Sequence, residues 1–270
     1  MLNELFFSAY ICLKNQDIES KLLGVSELRQ AWEEGVVTCN SELSPIMPTL
    51  IPGRPHKPVM VSALAVDKRK FSTAEGRAAL IHSLAHIEFN AINLALDAVY
   101  RFRDLPTDYY RDWLKVAAEE AGHFILLRNY LRSLGYDYGS FTAHNGLWDM
   151  AVSTAHDPMA RMALVPRVME ARGLDVLPGL MHKFKSSGNV EAVDILAIIL
   201  RDEVGHVAIG NRWYKYLCQQ RGLEPIATFR TLLQEYNAPK LRGPLHTEAR
   251  LAAGFTQDEI KMLEDSIKIG

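Results

Sequence analysis

Glu88 interrupts the apolar stripe Ile81, Leu84, Ala85, Ala91, Ile92, Ala95, Leu96 and Val99. Glu120 interrupts Trp113, Val116, Ala117, Phe124, Leu127 and Leu131, and Glu203 interrupts Ile195, Leu196, Ile199 and Val207. Glu170 follows Met159, Met162, Ala163 and Pro166 in the same rhythm. These steps of three and four residues are those of one helix face, so each carboxylate is expected to point into a core. Two of the four carry a histidine one turn on, in Glu120-Ala-Gly122-His123 and Glu203-Val-Gly205-His206, which puts carboxylate and imidazole on one side of the helix. Four ionised carboxylates in a dry core are prohibitively costly unless cations answer them. Two divalent ions balance four glutamates, and two imidazoles complete the donor set. Carboxylate with imidazole suits iron; manganese or a mixed Mn/Fe pair also fits, and zinc is less suited. The plainer alternative is a buried salt-bridge network. A lone Glu-x-x-His arises often by chance, whereas two such units with partner glutamates at matched depth do not.

The elements that must position these groups are helices. Glu119-Glu120-Ala-Gly-His123 and Asp202-Glu203-Val-Gly-His206 align as acid-Glu-x-Gly-His, so two helical hairpins are written in succession. A helix is expected from Ser72, where Ser72-Thr-Ala-Glu75 reads as a capping box, to about Phe102. Pro106 breaks it, Asp108 can cap the next, and Gly135 closes that one. Asp157-Pro158 opens a third helix that Pro166 should kink and that should break near Gly173. A piece over 176–187 continues its direction to Gly188, and a long helix runs from Asn189 to Gly222. Positions 88 and 120 lie equally far from the turn at Asp104–Thr107, and 170 and 203 from the turn at Ser186–Gly188, so each pair sits level in an antiparallel hairpin. The link over 135–157 reaches ~75 Å when extended. A bundle helix of about 27 residues is ~40 Å long, so the link can cross the whole bundle. Two hairpins joined by one long crossover make a ferritin-like topology.

Around this core the chain adds N-terminal helices, over about 2–14 and 17–34, and a Pro-rich passage with Pro45, Pro48, Pro52, Pro55 and Pro58. Proline withholds amide donors and keeps its neighbours out of the helical region, so the passage is an extended arm. Its basic residues Arg54, His56 and Lys57, with Lys68, Arg69 and Lys70 beyond, fit a solvated packing arm better than a phosphate- or partner-binding one. C-terminal helices start at Pro225 and at Thr256, where Thr-Gln-Asp-Glu259 is a second capping box. No useful strand alternation occurs. The expected fold is all-α, one domain over 1–270, with N-terminal helices and arm over 1–71, a four-helix bundle over 72–222 and a helical extension over 223–270.

Composition narrows the classes. The 270 residues are 48% hydrophobic and 23% charged, with a formal charge of −2, so no basic field invites nucleic acid. Three cysteines without a CxxC exclude a disulfide scaffold and a rubredoxin-type centre and fit a reducing cytosol. The apolar stretch Leu5–Leu13 is too short to span a bilayer and is preceded by Glu4 with no basic residue before it, so no membrane is expected and the location expected is cytoplasmic.

At the six residues the chain resembles the ferritin-like di-iron carboxylate superfamily, whose pattern is Glu, Glu-x-x-His, Glu, Glu-x-x-His on four helices. The resemblance implies two iron ions held by Glu88, Glu120, His123, Glu170, Glu203 and His206, with Glu120 and Glu203 as bridging or paired carboxylates. Arg201-Asp202-Glu203-Val-Gly-His206 is similar to the fourth-helix motif of ribonucleotide reductase small subunits and bacterial multicomponent monooxygenases. It implies that Asp202 hydrogen-bonds His123 and, less directly, that Glu119 does so for His206. Over most of its length, through IPGRPHKP, AHNGLWDMA and RDEVGHVAIGNRWY, the chain also resembles a bacterial family of ferritin-like proteins of unknown function. Two departures matter. The radical tyrosine of the reductases is replaced by Leu127, and the threonine of several monooxygenases by Leu174, so neither a stored tyrosyl radical nor that proton route carries over. The extensions at both ends would obstruct a bacterioferritin-like cage.

The function implied is an O2-dependent oxidase or hydroxylase of a small organic molecule, with an external electron donor. A ferroxidase or peroxide-handling protein and a non-enzymatic metal-stabilised bundle are the alternatives; a hydroxylase of tRNA is a narrower version of the first that the near-neutral charge disfavours. A homo-oligomer stays open. Gly122, Gly205 and Gly210 either leave room beside the metals or permit close helix packing. His144, Asn145 and Trp148 either cover a pocket or anchor a loop, and His82 and His86 are weak candidates for a further ligand.

Overall fold

The computed structural model describes residues 4–39, 46–67 and 69–269, so Pro45 and Lys68 lie outside the described residues. The fold is an all-α helical bundle; among the described residues the only extended pairing is two isolated bridges, Glu4 with Thr38 and Met60 with Ala143. No helix is long and apolar enough to cross a membrane, among the described residues. The chain forms two compact units, Met1–Val152 and Ser153–Gly270.

The first unit is built on a hairpin. Helices α1 (Leu5–Lys14) and α2 (Ile18–Glu33) precede α3 (Ala74–Arg101) and α4 (Thr107–Ser133), and α5 (Gly146–Ser153) closes the unit. The long helices pair along their apolar stripes, with the rings of Phe89 and Phe124 5.3 Å apart. α1 lies on the far end of this pair, where Phe6 meets the Tyr110 ring edge-on at 5.3 Å and Tyr10 meets Tyr100 at 4.7 Å. The arm crosses the end of α1, where Gly53 N–H donates to Leu13 O at 2.8 Å and Lys14 Nζ to Ile51 O at 3.0 Å. It is tied to α5 as well, by Trp148 Nε1–H to Leu50 O at 3.0 Å.

The second unit is a hairpin with a broken first arm. α6 (Pro158–Leu164) runs into a π-helical segment, Val165–Glu170, and on into α7 (Ala171–Ser186), which α8 (Val190–Gln220) follows. α9 (Pro225–Glu235), α10 (Thr247–Ala252) and α11 (Gln257–Ile269) complete the unit. Pro166 has no N–H to give the preceding turn, and the ladder reopens one residue wider, with Ala171 N–H donating to Pro166 O five residues back. α8 passes close by, because a Cβ at Gly210 would come within 2.3 Å of Pro166 Cβ. Glycine there serves close packing.

Several boundaries differ from expectation, each for a local reason. The cap of α3 is Thr73, whose Oγ1 accepts from Gly76 N–H at 3.0 Å, while Glu75 pairs with Arg69 at 3.1 Å, so a single-sided cap one residue on replaces the capping box expected at Ser72. Pro106, not Asp108, precedes α4, and Asp108 pairs with Arg111 at 2.9 Å inside the first turn. The break in the third helix lies at the π segment and not near Gly173, which sits within α7, because the missing proline donor dominates. The link over 135–157 contains α5, and α10 had no clear sequence signal. Asp157 caps α6 through Met159 N–H at 2.8 Å, and Thr256 and Glu259 form the reciprocal box, at 3.2 and 2.7 Å, as expected.

Lys21 holds α2 to α3 from a fully buried position. Its Nζ donates to Leu13 O at 2.9 Å and to Asn93 Oδ1 at 2.5 Å, the two bonds a neutral amine can donate. Burial pushes this amine down to about 7, against a raising influence from Cys12. The unfolded chain therefore binds more protons than the folded one between pH 7 and about 10, and the cost of the lysine falls as pH rises. Urea unfolding of wild type and Lys21→Met at pH 7.5 and 9.5 should show the difference moving toward wild type by about 1 kcal/mol per pH unit. A constant difference would mean that Lys21 titrates like an exposed lysine.

Candidate metal centre

Within the first unit, α3 supplies Glu88 and α4 supplies Glu120 and His123, all three buried. One ligand atom of each lies within 4.8 Å of the others. His123 Nδ1 is 3.3 Å from Glu120 Oε2 and 3.4 Å from Glu88 Oε2. The one-turn step within α4 sets the first distance. Equal depth about the interhelical turn sets the second, so the level pairing expected of 88 and 120 is what the hairpin makes.

Charge in this cluster is heavily biased. Burial alone would push the His123 imidazole down; hydrogen bonds and charge from Glu120, then Glu88, overrule it and hold the ring up at about 11. In the metal-free chain His123 is thus an imidazolium on which both carboxylates converge. A metal ion at this place exchanges for that proton, since imidazole ligates only through a bare nitrogen. The donor set, two hard carboxylates and an imidazole shielded from water, fits iron or manganese.

The second unit carries the repeated motif. Glu203 and His206 lie on one buried face of α8, with His206 Nδ1 3.5 Å from Glu203 Oε1. Glu170 is the last residue of the π segment and half-buried. In an unbroken helix it would continue the line of Met159, Met162 and Pro166; the extra residue of the π segment turns it by about 100° from that line. Asp202 receives Arg201 at 2.8 Å, and in the first unit Glu119 receives Lys115 at 2.7 Å.

Other candidates found defined partners in the first unit. Asn145 Oδ1 accepts from Arg54 at 3.3 Å, and His144 Nδ1 accepts from Gly146 N–H at 3.2 Å. The Asn145 contact and the bond from the buried Trp148 to Leu50 fasten the arm to the segment over 145–148, while the His144 contact turns that segment locally. His86 donates through Nε2 to the His144 carbonyl at 3.1 Å and accepts at Nδ1 from the Tyr138 hydroxyl at 2.8 Å. His82 Nε2 accepts from Gly139 N–H at 2.9 Å. Burial pushes both histidines down to about 4, so they are neutral anchors for the chain over 138–144. At Gly122 and Gly205 an added Cβ would meet nothing within 4 Å, so open space adjoins each Glu-x-x-His unit.

Residues 14–261 match the family described as "Protein of unknown function (DUF455)". The chain belongs to this family. A similar protein of Haemophilus influenzae, printed as "Uncharacterized protein", is 52% identical over 213 residues, covering 76% of this chain and 74% of its own. No solved structure matches. All three residues of the first-unit cluster fall inside the family match.

The raised His123 gives a direct check. Its contribution to the stability of the metal-free protein is complete below the ordinary histidine range and is withdrawn as pH climbs toward 11. In metal-free protein the His123 ring protons should keep imidazolium chemical shifts from pH 6 to 9. In Glu120→Gln the titration should fall by about 1–3 pH units. A wild-type midpoint near 6.5 would dismiss the imidazolium.

Proposed function

We propose that the two Glu and Glu-x-x-His halves join into one centre of two iron ions, held by Glu88, Glu120, His123, Glu170, Glu203 and His206. On this reading the chain is a ferritin-like di-iron protein, an O2-dependent oxidase or hydroxylase of a small organic molecule that draws electrons from an external donor. The observation that carries it is the buried pair of carboxylates converging on His123, matched by a repeat of the same motif on α8 with its carboxylate and imidazole on one buried face. A salt bridge needs one carboxylate for one imidazole, whereas a metal site needs the surplus of acid that this cluster has.

The iron, once bound, supplies the redox chemistry with O2. The chain supplies the rest. His123 yields its proton on loading, and Glu88 and Glu120, relieved of that hydrogen-bonded cation, turn their oxygens to the ions. Asp202 and Glu119 are proposed to fix ring orientation and basicity of the facing histidines, as carboxylates beside ligand histidines do. The space beside Gly122 and Gly205 is proposed as the approach to the centre for small molecules.

Anaerobic titration of metal-free protein with Fe(II), followed by O2, tests this reading. Two irons per chain, proton release on loading, rapid O2 uptake and an oxo-bridged diferric spectrum are expected, with at least one iron and the spectrum lost in Glu120→Ala and His206→Ala. Turnover of Fe(II) and peroxide that no organic compound alters would move the assignment to a ferroxidase. Stoichiometric zinc with no iron uptake would leave a metal-stabilised bundle.

A further inference from the structure

Arg167 has no role in the motif pattern, yet it is completely buried and stands three residues before Glu170, inside the π segment. Its guanidinium lies 4.1 Å from the ring centroids of both Tyr214 on α8 and Phe229 on α9, and 5.1 Å from that of Phe255 just before α11. Nη2 makes a short ion pair with Glu259 of α11, itself 1% exposed. Nε and Nη1 have no acceptor among the described residues, so Glu259 is the carboxylate that answers this charge. Glu259 is fixed in turn, since its other oxygen accepts from Thr256 N–H at 2.7 Å in the capping box of α11. One residue earlier, Pro166 is pressed against Gly210, which lies one turn beyond His206 on α8.

A surface salt bridge can be lost at small cost. This pair cannot, because removing the carboxylate leaves a guanidinium in an aromatic cage with no counter-charge. The widened turn it grips is the part of the chain that sets the direction of Glu170. We propose that Arg167, anchored by Glu259, is a positioning residue for Glu170, so that the C-terminal helix belongs to the framework of the metal centre. The inference rests on the di-iron reading for its consequence and on the second unit alone for its geometry. It assigns to the segment after residue 222 the task of keeping one carboxylate aimed, a task no other feature of that segment explains.

The test compares full-length Glu259→Gln, which keeps shape and removes charge, with Phe184→Leu, which trims a fully buried side chain at the far end of α7. A third protein, Arg167→Met/Glu259→Leu, removes both charges so that the fold need not carry an unanswered one. Backbone amide exchange over 165–171 in metal-free protein, and anaerobic Fe(II) binding, are measured on all three and on wild type. Glu259→Gln and the double variant should speed exchange across 165–171 at least tenfold and weaken one of two Fe(II) sites at least tenfold. Phe184→Leu should leave both readings as in wild type. Unchanged exchange in Glu259→Gln and the double variant, or equal loosening in Phe184→Leu, would overturn the clamp. Accelerated exchange at 165–171 with no second iron in wild type would uphold the clamp and reject the di-iron reading. Accelerated exchange with both irons held at wild-type affinity would overturn the positioning of Glu170.

Discussion

Two carboxylates share a buried space with one imidazole, and the folded chain must keep a positive charge there. In the metal-free protein that charge is the His123 proton, held far above the usual histidine range by Glu120 and Glu88. Everything around the cluster serves to bring the acids together in spite of their repulsion. The long pairing of α3 with α4 supplies the apolar burial that outweighs it, and the turn before α4 fixes the register at which 88 and 123 meet. The same convergence of buried carboxylates and imidazole is a group that could hold a metal ion in place of that proton.

The two halves of the chain meet this constraint differently. In the first, the helices bearing Glu88, Glu120 and His123 are unbroken, Trp148 and Asn145 tie the arm to the segment over 135–152, and His86 ties α3 to that same segment. In the second, the helix bearing Glu170 is opened at Pro166, and side chains from three later elements close around the opening. The repeated motif therefore sits on a straight scaffold once and on a re-aimed one once. π segments of this kind recur at functional sites.

Much of this was legible in the residues. The all-α class, the hairpins, the matched depth of 88 and 120 and the convergence on His123 all follow from apolar spacing interrupted by acids. Caps were legible where side chain and backbone agree, as at Asp157 and Thr256, and slipped by one where two hydroxyls adjoin, as at Ser72 and Thr73. What stayed hidden depends on contacts far apart in sequence. Nothing local distinguishes Arg167 from a surface arginine except its place in an apolar run, and nothing at Glu259 beyond its capping position announces a partner 92 residues away. The π segment was half legible: Pro166 announced a disturbance, but the ladder's way of absorbing it, which sets the direction of Glu170, is decided by the packing on Gly210.

Gly122 and Gly205 have a consequence for how the chain can change over generations. Each sits in a helix interior where a methyl group would touch nothing, and each costs about 1 kcal/mol relative to alanine. A lineage pressed only for heat resistance would fill both positions early, because the substitutions are single steps that offend no neighbour. Retention of the two glycines in descendants kept under such pressure would therefore mark the open space itself as selected. Their joint loss would mark a copy of the protein still required to fold but no longer required to keep that space open.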